Sequence, residues 1–141
     1  MRHLARVGLG CSETRPAVPE AVAALRAIIV EFATRVGLAQ STIDNVKLAV
    51  SEAATNVVVH AYRGAREPGP IHLEATLEEG ELRVSIADDG SGMRPEDDSP
   101  GLGLGLAIIA QLVDDFELLQ RRNGGLRVLM RFAPPATPAP S

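Results

Sequence analysis

The sequence has no tryptophan, only one cysteine and few aromatic residues. These scarcities exclude a core built from aromatic side chains and an intrachain disulfide. Only 3% of its 141 residues are aromatic, so the core has to be built from aliphatic side chains. The single cysteine, Cys11, cannot form an intrachain disulfide or hold zinc by itself, and we interpret it as an inert thiol. Basic residues are outnumbered by acidic ones, 14 against 18, and the net charge of -4 argues against direct nucleic-acid binding.

A long hydrophobic run is also missing. The uncharged stretch over residues 101–113 is interrupted by glycines and falls short of the roughly 20 apolar residues of a membrane-spanning helix. The first residues do not have the pattern of a signal peptide, so we expect a cytoplasmic protein without membrane contact. The length suits one domain, and we predict a folded domain over 1–133 and a proline-rich, disordered tail over 134–141.

The spacing of apolar residues predicts three helices. Apolar residues recur every three or four positions over 18–36, as on the buried face of an amphipathic helix. A second helix is predicted to begin near Ser41, with Asp44 as its capping-box partner, and to reach Ala61. Helical spacing returns at Leu106, where we place the start of the third helix.

Alternation with a period of two predicts the strands. The predicted strands are a short edge strand at 3–9 and two hairpins, formed by 71–77 with 82–86 and by 116–122 with 126–132. Strands joined by tight turns pair in antiparallel fashion, and the helices would cover one face of the sheet. The fold class expected from this order is a two-layer α/β sandwich with a mixed, largely antiparallel sheet.

The second helix carries the first candidate site. Glu52, Asn56 and His60 are spaced by four, so they project from one side of the helix. A carboxylate and an amide one turn apart can share a hydrated Mg²⁺, and Glu52 could act as a general base. The alternative is an ordinary solvated polar face, because these residue types are common on helices.

Two glycine-containing segments complete the candidate site. Asp88 follows an apolar strand within Asp88–Met93, where it could accept a hydrogen bond from an exocyclic amine such as that of adenine; an ordinary Asp-Gly turn is the alternative. The segment 101–106 opens a helix, whose free amides could bind phosphate; the alternative is a flexible loop. Its glycine spacing and context fit neither a Rossmann fingerprint nor a P-loop.

Together the three segments offer places for a metal, a base and phosphates, and in this combination the sequence resembles the GHKL superfamily of ATPases and kinases. The N box is matched by Glu52 to Asn56, the G1 box by 88–92 and the G2 box by 101–105. Within that group, LAVSEAATNVVVHAY (48–62) is similar to the RsbW-like anti-sigma-factor serine kinases. The resemblance implies the Bergerat, histidine-kinase-like ATPase fold with ATP and Mg²⁺ as ligands.

The resemblance also implies residue roles. Asn56 would coordinate Mg²⁺, Glu52 would activate the attacking hydroxyl, and Asp88 would hold the adenine amine. Gly90 and Gly92 would let the base approach, and Gly103 and Gly105 would offer backbone amides to the phosphates below a lid over 93–101. Taken together, the implied nucleotide-binding residues are Asn56, Asp88, Gly90, Gly92, Met93, Gly101, Gly103, Leu104 and Gly105.

The function implied is that of an anti-sigma factor and ATP-dependent serine protein kinase. Such a protein phosphorylates a STAS-type anti-anti-sigma factor, sequesters a sigma factor and works as a homodimer. Two departures favour an alternative, an ATP-binding regulatory module with little or no kinase activity. Leu126 stands where many relatives have Thr, and the short lid carries three acids, Glu96, Asp97 and Asp98. A histidine-kinase catalytic domain is a third and weaker interpretation.

Overall fold

A five-stranded sheet with helices packed against it forms the protein. The computed structural model describes residues 9–91 and 100–134. In chain order the strands are β1 Leu9–Pro16, β2 Pro70–Glu78, β3 Glu81–Asp88, β4 Asp115–Gln120 and β5 Leu126–Phe132. The α-helices are α1 Pro19–Arg35, α2 Gln40–Asn56 and α3 Pro100–Leu112, and a π-helical turn, Val57–Ala61, extends α2. None of the helices in these ranges is long and apolar enough to cross a bilayer.

The sheet has the strand order β1-β2-β3-β5-β4, and every pairing between the described strands is antiparallel. The predicted α/β sandwich is therefore confirmed, but the expected mixed sheet is antiparallel throughout the described residues. Tight turns account for the β2–β3 and β4–β5 pairings, whereas the β1–β2 and β3–β5 pairings join strands that are distant along the chain. Between β2 and β3 the chain reverses at Glu79 and Gly80, whose φ angles of 52° and 81° are those of a two-residue hairpin turn.

The core lies between the sheet and the three helices. Strand β5 alternates strictly between buried and half-buried residues, as expected for a strand with one face on the core. As the scarcity of aromatic residues predicts, the core is largely aliphatic. Its largest fully buried side chains are Phe32, Leu25, Ile29, Ile71, Leu73, Leu82, Ile86, Ile109, Leu126, Met130, Val46 and Val50.

The first strand differs from the prediction. The strand predicted at 3–9 overlaps β1 only at Leu9, and residues 1–8 lie outside the described ranges. Strand β1 pairs with β2 from Leu9 opposite Leu77 to Pro16 opposite Pro70. Most of its side chains are exposed, so this edge strand is held by its backbone pairing and gives little hydrophobic alternation to detect.

The start of α2 is also corrected. The helix begins at Gln40 after Ala39, and no side chain caps its amides, so the predicted capping box of Ser41 and Asp44 is wrong. Gln40 Nε2 donates instead to Asp44 Oδ1 at 2.9 Å. At the other end, the predicted extension to Ala61 is present, but its last five residues are π-helical. Such turns are uncommon and frequently occur at functional sites.

Helix α3 begins six residues earlier than the predicted start at Leu106. Pro100 occupies its first turn, where a proline costs no hydrogen bond. Gly101, Gly103 and Gly105 therefore lie inside the helix and not in a loop before it. The predicted tail, 134–141, falls outside the described residues except for Pro134.

Candidate functional site

Asn56 lies at the junction of α2 and the π-helical turn and faces α3. Its side chain is 6% exposed, and its Nδ2 atom is buried without a hydrogen-bond partner among the described residues. A Cβ atom added at Gly105 would stand 2.8 Å from both Nδ2 and Oδ1 of Asn56. Only glycine therefore allows α3 to pack this closely, and the contact brings the predicted N and G2 boxes together.

Glu52 lies one helical turn before Asn56, on the same side of α2. It is half-buried, whereas the neighbouring Ala53 and Ala54 are buried in the core. A carboxylate at the margin of the core can still meet a hydroxyl group brought from outside. Its predicted role as general base is compatible with this position.

Asp88 ends the central strand β3 with its carboxylate in the protein interior, 1% exposed. Oδ1 accepts the Gly90 backbone N–H at 2.9 Å, while Oδ2 is buried and has no partner within the described ranges. Burial raises the pKa of Asp88, although the backbone amides of Gly90 and Leu126 oppose this shift. An unpaired buried acceptor costs about 1–3 kcal/mol, so the carboxylate is poised for a ligand that brings a donor.

Two glycines allow other backbone segments to approach the end of β3. A Cβ atom at Gly90 would lie 2.0 Å from the carbonyl oxygen of Ala61, the last residue of the π-helical turn. A Cβ atom at Gly125, in the β4–β5 turn, would lie 1.9 Å from the carbonyl oxygen of Asp88. The strand end, the π-helical turn and the last hairpin therefore converge, as the three-segment interpretation requires.

The glycines of α3 have different surroundings. In an α-helix that begins at Pro100, the amides of residues 101 and 102 belong to the first turn, where backbone amides have no partner within the helix and can bind a phosphate, whereas Gly103 is the fourth helical residue. No described atom lies within 4 Å of a Cβ atom at Gly103, and Leu104 is 65% exposed. Gly105 lies in the second turn, where its backbone amide donates to a carbonyl group of the same helix. The free amide expected from the sequence is therefore not available at Gly105, and its contribution to the site is the close approach to Asn56.

Several predicted residues fall outside the described ranges. Gly92 and Met93 do so, and so do the three acids of the predicted lid. Leu126, by contrast, is described and is 2% exposed at the first position of β5. The side chain beside Asp88 at this point is therefore apolar and offers no hydroxyl group.

Neither His60 nor Cys11 is assigned a role in the site, because the surroundings of each are explained by packing and hydrogen bonding within the protein. The His60 ring is buried, and its Nδ1 atom contacts Nη2 of Arg63. Burial, and then the charge of Arg63, lowers the pKa of His60, so the ring is neutral at pH 7 and accepts this hydrogen bond. Cys11 is half-buried, and burial raises the pKa of its thiol, which agrees with the interpretation of an inert cysteine.

Sequence reasoning missed Tyr62 and Asp89. The Tyr62 hydroxyl donates to the carbonyl oxygen of Pro70 at 2.6 Å and accepts the Asp89 backbone N–H at 2.8 Å. Its ring fills the space beside Gly69, where a Cβ atom would lie 2.5 Å from Cε1. The adjacent acidic pair Asp88 and Asp89 is visible in the sequence, but the partners of Asp89 are distant along the chain.

The residues fit a nucleotide with its magnesium ion. The unpaired Oδ2 of Asp88 suits an amine donor, and the Asn56 amide supplies an oxygen, the ligand type that Mg²⁺ prefers. Mg²⁺ commonly takes only one or two protein ligands beside phosphates and waters, so one predicted protein ligand is enough. Asn56 and the first turn of α3 would then serve the metal and phosphates, and Asp88 the base.

Gly105→Ala is expected to disturb this site. The added methyl group has to displace the Asn56 amide, because the two would be 2.8 Å apart. We expect ATP affinity in the presence of Mg²⁺ to fall about tenfold, and no gain in melting temperature despite the better helix propensity of alanine. Calorimetric titration and thermal unfolding measure both.

Gly103→Ala is the matched control for stability. Its methyl group meets no atom of the described residues within 4 Å, so the helix-propensity gain of about 1 kcal/mol should appear as a higher melting temperature. Equal stabilisation by both substitutions would contradict the tight contact between Gly105 and Asn56.

Comparison with known proteins gives consistent matches. Residues 15–132 match the family model described as histidine kinase-like ATPase domain. The serine-protein kinase RsbW of Bacillus thuringiensis (strain Al Hakam) is 34% identical over 130 residues, which cover 82% of this chain and 79% of that protein.

Solved structures agree with these matches. The structure of the RsbU and RsbW domains of a Mycobacterium tuberculosis protein superposes with a TM-score of 0.71 and 25% identity, and it covers 89% of this chain and 32% of that longer one. The SiaB-SiaC complex from Pseudomonas aeruginosa gives a TM-score of 0.70 at 13% identity, covering 93% of each chain, and at this identity it supports the fold alone.

Proposed function

The chain belongs to the family of RsbW serine-protein kinases, which is built on the histidine kinase-like ATPase domain, and from this premise we propose its reaction and its partners. It is an anti-sigma factor that uses ATP and Mg²⁺ to phosphorylate a serine of a STAS-type anti-anti-sigma factor. It sequesters a sigma factor when that protein is not bound. It acts in the cytoplasm as a homodimer.

The proposed binding of a nucleotide rests on one observation, the position of the Asp88 carboxylate. Asp88 is held in the interior with one carboxylate oxygen that has no partner among residues 9–91 and 100–134, at a strand end that touches the last residue of the π-helical turn through Gly90. A buried carboxylate without a partner is costly and is rarely kept for stability alone. An adenine amine would supply the missing donor. The site would then favour a base that carries this amine over a base that lacks it.

The reaction assigns a separate task to each side chain. Bound ATP supplies the phosphoryl group to be transferred. Asn56 would hold the magnesium ion through its side-chain oxygen, and the first-turn amides of α3 would orient the phosphate oxygens. Glu52 accepts the proton of the attacking serine hydroxyl. The new bond joins that oxygen to the γ-phosphorus, and the bond from the γ-phosphorus to the oxygen bridging it to the β-phosphate breaks.

A specific observation favours the second candidate, a nucleotide-binding module with little kinase activity. Leu126 is buried beside Asp88 and supplies no hydroxyl group, so base recognition depends on Asp88 and on backbone groups. A loosely held base would shift the phosphates and slow the transfer. Nucleotide binding would then serve to regulate partner choice.

Phosphoryl transfer to a protein serine separates the two functions. The chain is incubated with Mg²⁺ and ATP labelled in the γ-phosphate, together with a panel of STAS-domain proteins. Label on a STAS protein, lost when the acceptor serine of that protein is replaced by alanine, is the expected result. Tight ATP binding without transfer to any member of the panel would favour the binding module, and absence of ATP binding would contradict both.

A further inference from the structure

Asp89 directly follows Asp88 in the chain. Its carboxylate contacts three side chains from distant parts of the chain. Its Oδ1 atom accepts hydrogen bonds from Arg121 Nη1 at 2.5 Å and from Asn123 Nδ2 at 2.9 Å. Its Oδ2 atom lies 3.1 Å from Nε2 of His72 on β2. One carboxylate therefore joins the end of β3 to the neighbouring strand β2 and to the β4–β5 turn.

The backbone of the same residue makes a fourth connection. The Asp89 N–H donates to the Tyr62 hydroxyl at 2.8 Å, and this hydroxyl donates to Pro70 at the start of β2. Tyr62 directly follows the π-helical turn that leads from Asn56. Asp89 is thus linked to the segment that positions the predicted metal ligand.

Arg121 contacts both members of the acidic pair. Besides its bond to the Asp89 carboxylate, Nη1 donates to the backbone carbonyl of Asp88 at 2.7 Å. Asn123 in turn accepts the Gly125 N–H at 2.9 Å, and Gly125 lies directly against the same Asp88 carbonyl. The backbone of Asp88 is therefore fixed by groups that Asp89 holds in place.

The Asp89 side chain is more exposed than that of Asp88, and it is not the carboxylate proposed to hold the base. The Asp88 carboxylate lies among the interior groups, whereas Asp89 binds His72, which belongs to the half-exposed face of β2. Partial burial pushes the pKa of Asp89 upward, but the hydrogen bonds from His72, Arg121 and Asn123 outweigh it and hold the pKa below its usual range. Asp89 is therefore an anion at pH 7, as its donors require.

We propose that Asp89 is a positioning residue that fixes the Asp88 carboxylate for recognition of the nucleotide base. This inference rests on the proposed function. A partly exposed ion pair contributes little to global stability, whereas a carboxylate displaced by about 1 Å no longer has the geometry of a hydrogen bond to its ligand. The network should therefore influence base discrimination more than the melting temperature.

The test compares the affinities for ATP and ITP, which carries an oxo group where adenine carries its amine. We expect Asp89→Ala to weaken ATP binding about tenfold or more, to change ITP binding less, and so to lower the ATP/ITP preference. Glu74→Ala is the matched control, since it removes an exposed carboxylate that pairs with Arg127 at 2.8 Å on the same sheet. It should change neither affinity.

Two further variants keep the test decisive if Asp89→Ala folds poorly. Asp89→Asn retains an acceptor oxygen and should give an intermediate loss of preference. The double variant of Asp89→Ala with Arg121→Ala should lose less ATP affinity than the sum of the two single losses, because the two residues share one contact. An unchanged ATP/ITP preference in Asp89→Ala and Asp89→Asn would overturn the inference while leaving the proposed function intact. Absence of ATP binding by the unmodified protein would overturn both.

Discussion

Glu52→Ala is expected to lower the rate of phosphoryl transfer about 100- to 10,000-fold while leaving ATP affinity within about twofold. The carboxylate lies one turn from Asn56 and is not expected to touch the base, so its loss removes the proton acceptor and little else. Single-turnover transfer to the STAS protein and calorimetric titration with ATP measure the two quantities separately.

Asp44→Ala is the control on the same helix. Asp44 lies about three turns before Asn56, and its carboxylate is on the surface, where it contacts Gln40. Its removal should leave both the transfer rate and the ATP affinity unchanged. A Glu52→Ala variant that transfers phosphate at the parent rate would refute the role of Glu52 as base. A variant that loses ATP binding in parallel would place Glu52 in the binding site and not in proton transfer.

Asp88→Asn is expected to weaken ATP binding about ten- to a hundredfold and yet to stabilise the ligand-free protein. The amide would present a donor or a weaker acceptor to the adenine amine, and a charged acceptor is worth about 1.5–3 kcal/mol. The same change removes a buried charge, one oxygen of which has no partner in the described part of the chain, so we expect the melting temperature at neutral pH to rise by about 2–6 °C.

The stability gain of Asp88→Asn has a predictable pH dependence. Because burial raises the pKa of Asp88, the folded chain binds this proton more readily than the unfolded chain does. The ionised carboxylate therefore costs stability at neutral pH, and the cost disappears as the pH falls through the raised pKa. The melting-temperature difference between variant and parent should shrink on acidification; a difference that grows would contradict the buried, ionised Asp88.

Asp115→Asn provides the comparison for this effect. Asp115 is an exposed partner of Arg131, at 3.3 Å on the edge strand β4. Its replacement should change the melting temperature by less than about 2 °C and leave ATP affinity unchanged. The contrast separates the removal of a charge in general from the removal of this buried charge.

Most of the correct predictions come from local patterns in the sequence. Helix α1 and the two hairpins follow from periodicity, because each has one face on the core and one in solvent. Asp88 is placed at a strand end, and Asn56 on a helix, by the same patterns. The family was predicted from the order of three short motifs, and the matches to the ATPase domain and to RsbW confirm it.

The remaining differences arise from contacts between segments. The glycines of 101–105 disfavour a helix by propensity, but packing against Asn56 makes this segment the start of α3. Strand β1 exists through its backbone pairing with β2 and not through a hydrophobic face. Tertiary packing thus overrides the local signal in both places.

The network around Asp89 could not be predicted for a related reason. Its partners His72, Arg121 and Asn123 are 17, 32 and 34 residues away along the chain. A single sequence contains no pattern that joins them, because His72 is a polar position of the alternating strand β2 whereas Arg121 and Asn123 belong to the β4–β5 turn. The register of the sheet alone brings them to one point.

An amide-resolved NMR titration of the unmodified protein with ATP and Mg²⁺ tests the central claim most directly. If the α2 end, the β3 end and the α3 start surround one nucleotide, the amide resonances of Asn56, Asp88, Gly90 and Gly105 will all shift with one dissociation constant. No shift of these resonances at millimolar ATP, or shifts that follow separate dissociation constants, would contradict a shared site.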